Sequence, residues 1–170
     1  FNGTFDGAGH TVTININKED DYVGMFAYLG ANADVKDFTV DTATAINTKS
    51  YSSYTGAIAA YSEGKISNIR VENIELTGAV SVGGLVGFLA STGTVTRFCV
   101  DAGTVKKART SSDNPFGGIV GKNLGTVSYC SANVKMDHAD GGYNTDLTGG
   151  IAGENPSGAT VTDCYFTGSF

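Results

Sequence analysis

Three cysteines, two histidines and 17 acidic residues are the side chains of this 170-residue chain best suited to hold a metal, attack a carbonyl or cleave a glycosidic bond. The histidines, His10 and His138, stand alone, and neither belongs to a His-Glu-x-x-His pair of the kind that grips zinc from one helix face. No serine sits in a Gly-x-Ser-x-Gly turn, so the nucleophile of an acyl-transfer enzyme is missing. Glycan cleavage needs carboxylates that meet, but Asp34, Asp37, Glu72, Glu75, Asp101 and Asp163 are scattered along the chain. Gly141-Gly142-Tyr143-Asn144-Thr145-Asp146 resembles one unit of a calcium-binding Gly-Gly-x-Gly-x-Asp array, with Asp137 and Asp140 nearby. Asn144 replaces the third glycine and no neighbouring unit repeats the pattern, so the segment reads as a polar turn. Glu19-Asp20-Asp21 reads as a solvated acidic loop. These residues predict no catalytic set, no metal site and no cofactor.

The composition narrows the partners. A net charge of −6 disfavours phosphate backbones, so nucleic acid is not an expected ligand. No apolar run approaches the ~18 residues of a membrane-spanning helix. The chain holds 24 glycines but only 2 prolines, with 41% apolar residues. That is too apolar for a disordered linker, so the glycines belong to fixed positions in an ordered fold. The first residue is Phe1, not Met, and the chain is expected to be a fragment of a larger protein.

The glycines recur. Gly83-Gly84-Leu85-Val86-Gly87 returns as Gly117-Gly118-Ile119-Val120-Gly121 and as Gly149-Gly150-Ile151-Ala152-Gly153. Weaker copies are Gly24-Met25-Phe26-Ala27 and Gly56-Ala57-Ile58-Ala59, which aligns Gly24, Gly56, Gly84, Gly118 and Gly150. After each comes a second block: Val35-Lys36-Asp37-Phe38-Thr39-Val40, Ile66–Val71, Val95–Val100, Val127–Ala132 and Val161–Phe166. Its first, fourth and sixth positions are apolar, the fourth being Phe38, Ile69, Phe98, Cys130 and Cys164.

Short β-branched stretches bounded by glycine are strands. A unit of ~30 residues with several strands cannot bury its own apolar side, whereas stacked units can. The predicted fold is all-β: a right-handed parallel β-helix, or solenoid, of five to six coils. Residues 1–21 form the first coil or cap, with Val12, Ile14 and Ile16 alternating as a strand. Coils follow at about 22–54, 55–82, 83–116, 117–148 and 149–170 of one repeat domain. The aligned glycines are expected where the backbone needs positive φ or passes close to a neighbouring coil. Gly103 lies outside the repeat, so Gly118→Val is expected to cost more than Gly103→Val.

These blocks resemble the GLUG-motif repeats of bacterial surface proteins. Gly84-Leu85-Val86-Gly87 matches that motif fully, two copies carry Ile at the second place, and the two early copies end in Ala27 and Ala59. Phe1-Asn2-Gly3-Thr4-Phe5-Asp6-Gly7 and Val161-Thr162-Asp163-Cys164-Tyr165 resemble the segments that accompany such repeats. The resemblance implies a β-helical part of a secreted or cell-surface protein, as in adhesins or the non-catalytic region of immunoglobulin A proteases.

Stacking puts Cys130 and Cys164 in one column ~4.8 Å apart, within disulfide reach. Parallel side chains in a column point the same way, however, so two free, buried thiols are expected. Cys99 is one place out of the column, and the three thiols do not converge on a metal. The repeats differ most over 43–55, 103–116 and 135–148, and in a solenoid such stretches gather on one side. That side would display Tyr51, Tyr54, Asn114, Phe116, His138, Asp140 and Tyr143, a Tyr-rich composition suited to recognition. The competing reading has Tyr51 or Phe116 packing down on the coil. The expected function is a non-enzymatic adhesive surface or stalk for a host glycan or extracellular protein. The alternatives are a substrate-positioning spacer in a large surface protease and a polysaccharide-active β-helix. Unpaired strand edges at the coil ends would favour end-to-end self-association.

Overall fold

The computed structural model describes residues 1–41, 45–48, 54–108, 114–138 and 147–170. Among them there is no helix, and every strand pair is parallel. The chain is a β-solenoid of about five turns, followed by the first side of another coil. Each full coil contributes strand to each of four faces, and on the first face that strand is in places split in two.

The first face carries Thr4–Asp6 with Thr11–Val12, then Asp34–Val40, Lys65–Val71 and Thr94–Val100. It continues with Thr126–Ser128 and Ser131–Ala132, and ends with Thr160–Thr162 and Tyr165–Phe166. The second carries Asn15–Asn17, Ala45–Asn47, Ile74–Gly78, Gly103–Lys107 and Lys135–His138. The third carries Tyr22–Val23, Tyr54–Thr55, Ser81–Gly83, Pro115–Gly117 and Leu147–Gly149. The fourth carries Phe26–Leu29, Ala59–Ser62, Val86–Leu89, Val120–Asn123 and Ala152–Glu154.

Register makes columns of like residues. Phe5, Val35, Ile66, Val95, Val127 and Val161 stack on the first face, as do Val40, Val71, Val100, Ala132 and Phe166. On the second face Ile16, Ile46, Leu76, Val105 and Met136 form the inward row. Residues 103–107 and 135–138, which the sequence reading counted within variable stretches, are therefore strands. They carry one apolar column between polar neighbours, too thin a pattern to stand out. Ile46, Ile66, Ile69, Ile74, Leu76, Leu85, Leu89 and Ile119 fill the interior with almost no exposure.

The one-four-six apolar pattern has a backbone cause. Inward residues of a flat strand alternate, so two of them three places apart need one extra residue between them. Asp37, Asn68, Arg97, Tyr129 and Asp163 supply it, with φ of 60°, 54°, 52°, 54° and 52°. Each bends its strand as a bulge does. Asp and Asn tolerate the left-handed region better than other non-glycine residues, and a bulkier side chain there costs about 1 kcal/mol.

The repeat glycines serve close approach, and none of Gly24, Gly56, Gly84, Gly118 or Gly150 has positive φ. A Cβ on Gly84 would run into the Gly118 carbonyl, and one on Gly118 into the Gly150 carbonyl. A Cβ on Gly87 would lie 2.7 Å from Thr55 N and 2.7 Å from Ala60 O. Register also corrects the alignment by one residue. Val82 pairs with Thr55 and Val86 with Ala59, so Gly56 shares its column with Gly83, and Ala60 holds the place of Gly87. Paired glycines look alike when shifted by one, and only the strands fix the phase.

Gly103 overturns the expected contrast with Gly118. Its φ is 125°, and a Cβ there would collide with the Ile74 backbone. Gly118→Ala and Gly103→Ala should each lower the melting temperature, on the order of 5–10 °C. Tyr129→Asn should raise it by about 2–4 °C, because Asn relieves the left-handed strain. Thermal unfolding followed by circular dichroism checks all three variants.

Candidate functional site

Length variation concentrates between the second and third faces. These connections run from Gly78 to Ser81, Asn47 to Tyr54, Lys107 to Pro115 and His138 to Leu147. From the third face to the fourth the spans are nearly constant: Thr55 to Ala59, Gly83 to Val86, Gly117 to Val120 and Gly149 to Ala152. Of the sequence-selected residues on this side, Tyr51, Asp140 and Tyr143 lie outside the described residues, as does the Gly141–Asp146 segment. Tyr54, Asn114, Phe116 and His138 are described.

Asn114, Phe116 and His138 come together around a residue that the sequence reading passed over. Lys107 is fully buried, in register with His138, and its Nζ donates to the Asn114 carbonyl at 2.8 Å. An inward ammonium disguised by a run of charged neighbours gives no apolar signal. Phe116 is fully buried, its ring edge-on to the His138 imidazole at 5.0 Å. It packs down on the coil and has no surface to display. Thr148 Oγ1 lies 3.5 Å from His138 Nε2.

Tyr54 lies in a different group, at the turn from the third face to the fourth. Tyr28, Tyr61 and Phe88 stack on the outside of the fourth face, with centroids 5.0 and 4.9 Å apart and planes 6° and 5° off parallel. Register dictates this, since Tyr61 pairs with both Tyr28 and Phe88. Tyr22 and Tyr54 make a second stack on the third face, 5.4 Å apart. The constant glycine turn brings the two together. Tyr54 meets Tyr61 and Phe88 edge-on at 6.4 and 5.6 Å. Tyr22 is 43% and Tyr28 44% exposed. A hydrogen bond to the Glu63 carboxylate favours the protonated phenol and pushes Tyr28 up to about 12. Burial, then the Glu63 charge, raises Tyr61. The sequence signal for this corner was available: Tyr28, Tyr61 and Phe88 each lie two residues beyond an equivalent strand position.

Asp41, Glu72 and Asp101 follow one another on consecutive coils, each one residue past the Val40, Val71 and Val100 column. Asp101 accepts from Arg70 Nε at 2.6 Å, Asp37 from Asn68 Nδ2 at 2.5 Å, and Asp163 from the Thr162 hydroxyl at 3.2 Å. Among the described residues no three of His, Cys, Asp and Glu gather as metal ligands. Cys130 and Cys164 are unpaired thiols in one column, Cys130 buried as expected but Cys164 only half-buried, each donating two residues back, to the Ser128 carbonyl at 3.0 Å and the Thr162 carbonyl at 3.1 Å. Cys99 faces outward beside Arg70 and is also unpaired. Burial raises its thiol.

Comparison of the chain with family profiles, with characterised proteins and with solved structures finds no match.

Burial also pushes the Cys130 thiol from its ordinary 9.0 up to about 12. Above pH 9 the unfolded chain loses this proton while the folded chain keeps it. The folded state then binds more protons, so its stability falls as pH rises from 9 toward 12 and is unaffected below that range. Urea unfolding from pH 8 to 11 should show a shallower decline for Cys130→Ala than for the parent chain. Equal slopes would count against a buried, protonated thiol.

Proposed function

We propose that the chain is a non-enzymatic β-helical segment of a secreted or cell-surface bacterial protein, holding a binding surface at a fixed place on a rigid stalk. The observation that carries this reading is the aromatic corner of Tyr22, Tyr28, Tyr54, Tyr61 and Phe88, beside the side of the solenoid where connections vary in length. Stacked rings with hydroxyl edges offer apolar area and hydrogen bonding at small entropic cost, the usual make-up of recognition surfaces. The coils beneath are locked by inter-coil ladders, so contacts are positioned before the partner arrives and less ordering opposes binding. The GLUG resemblance supports an extracellular setting. The partner class is a host glycan or an extracellular protein.

Arrays of glycans and of extracellular proteins, probed with the purified chain, test the reading. A partner found this way should bind roughly thirtyfold more weakly to the Tyr22→Ala/Tyr54→Ala double variant, the usual size of a lost aromatic anchor. Cleavage of a polysaccharide by the purified chain, abolished by one Asp or Glu substitution, would overturn it.

A further inference from the structure

A second surface lies on the first face, away from the aromatic corner. The column of left-handed residues creases the outside of that face into an open groove of about 340 Å³, lined by Asp37, Thr39, Asn68, Arg70, Arg97 and Cys99. The whole chain has three arginines, Arg70, Arg97 and Arg109, and two of them line this groove despite a net charge of −6.

Arg70 lies in the field of the Asp101 and Glu72 carboxylates, whereas among the described residues no carboxylate pairs with Arg97. Asp37 lies 3.8 Å from Lys36 and takes the Asn68 amide. Asp101, outside the lining, grips Arg70 by Nε alone. Among the described residues the terminal nitrogens of Arg70 and the whole guanidinium of Arg97 have no ion-pair or hydrogen-bond partner. Arg97 also occupies the left-handed column, where φ is 52° and the preceding coil uses Asn68. An arginine there costs stability that an asparagine would not.

Apart from the left-handed residues Asp37, Asn68 and Arg97, the strands of the first face are paired on both sides by neighbouring coils, which leaves no free edge for an extended peptide to join as a strand. What the groove offers is side-chain donors: two planar guanidiniums, an amide and a hydroxyl. Guanidinium forks match carboxylates, and the amide and hydroxyl suit a polyhydroxylated ligand. We propose that the groove binds an acidic saccharide, its carboxylate held between Arg97 and Arg70 and its hydroxyls met by Asn68 and Thr39. This site is independent of the aromatic corner and stands or falls without it.

The test is a nuclear magnetic resonance titration of the isotopically labelled chain with a galacturonic acid tetramer, a neutral galactose tetramer and tetraglutamate. The acidic sugar should shift the amides of residues 68–70 and 97–99 saturably, with an affinity that falls as salt is added. Arg97→Asn should weaken binding about tenfold or more while melting at an equal or higher temperature. A loss of binding then cannot be a loss of fold. Any of four results overturns the proposal: equal affinity for the neutral tetramer, equal affinity for tetraglutamate, undiminished affinity in Arg97→Asn, or no saturable shift up to about 10 mM.

Discussion

Backbone hydrogen bonds running along the solenoid axis govern everything else in this molecule. Each face joins a strand to its counterpart one coil away, ~4.8 Å distant, with no freedom to slide. A side chain therefore has the matching side chain of the next coil as its nearest neighbour, whatever the two are. Apolar residues gain from this on the inside, where Val35, Ile66, Val95 and Val127 make an unbroken row. On the outside the same rule forces chemistry into pairs. Asp6 and Lys36, Lys106 and Asp137, and Lys122 and Glu154 are register partners and also ion pairs, at 3.5, 3.5 and 2.9 Å. These exposed bridges add little stability. Their value is that a like-charged pair at the same spacing would be unfavourable.

Two backbone devices let a chain of this composition obey that rule. Glycines remove the Cβ where one coil's turn presses on the next coil's carbonyl, as Gly84 does on Gly118. Left-handed residues absorb the extra position that bends the first face. The two are separate: the crowded repeat glycines have ordinary φ, and the bent positions are mostly Asp, Asn, Arg and Tyr. Positive φ at a glycine is confined to Gly9, Gly103 and Gly158 among the described residues.

Much of this was legible in the residues. The glycine blocks and the one-four-six apolar pattern led directly to stacked parallel coils, because both are properties of the unit that stacking repeats. The phase of Gly56 was not legible, since adjacent glycines cannot report a shift of one. The alternating Val12, Ile14 and Ile16 divide between two strands, Val12 on the first face and Ile16 on the second, and the rest of the second face is faint in the sequence because Ile46, Leu76, Val105 and Met136 share only one apolar place per coil. Recognition surfaces were harder still. Tyr54 stands out through its place in the variable stretch 43–55, yet its partners Tyr61 and Phe88 lie on another face and meet it only through the glycine turn. Phe116 was chosen by the same logic and is core. Lys107 gives no apolar signal in the sequence, although it is fully buried with its Nζ on the Asn114 carbonyl.

The outer column of the fourth face reads Tyr28, Tyr61, Phe88, Lys122 and Glu154 from one end to the other. Three rings are followed by a cation and then an anion, at equal intervals on a rigid support. Such a row has a head and a tail. A linear polymer laid along it would meet apolar, positive and negative steps in a set order and would fit in one orientation better than in the reverse. Parallel stacking thus turns a one-dimensional order of residues in the chain into a surface with a sense of direction.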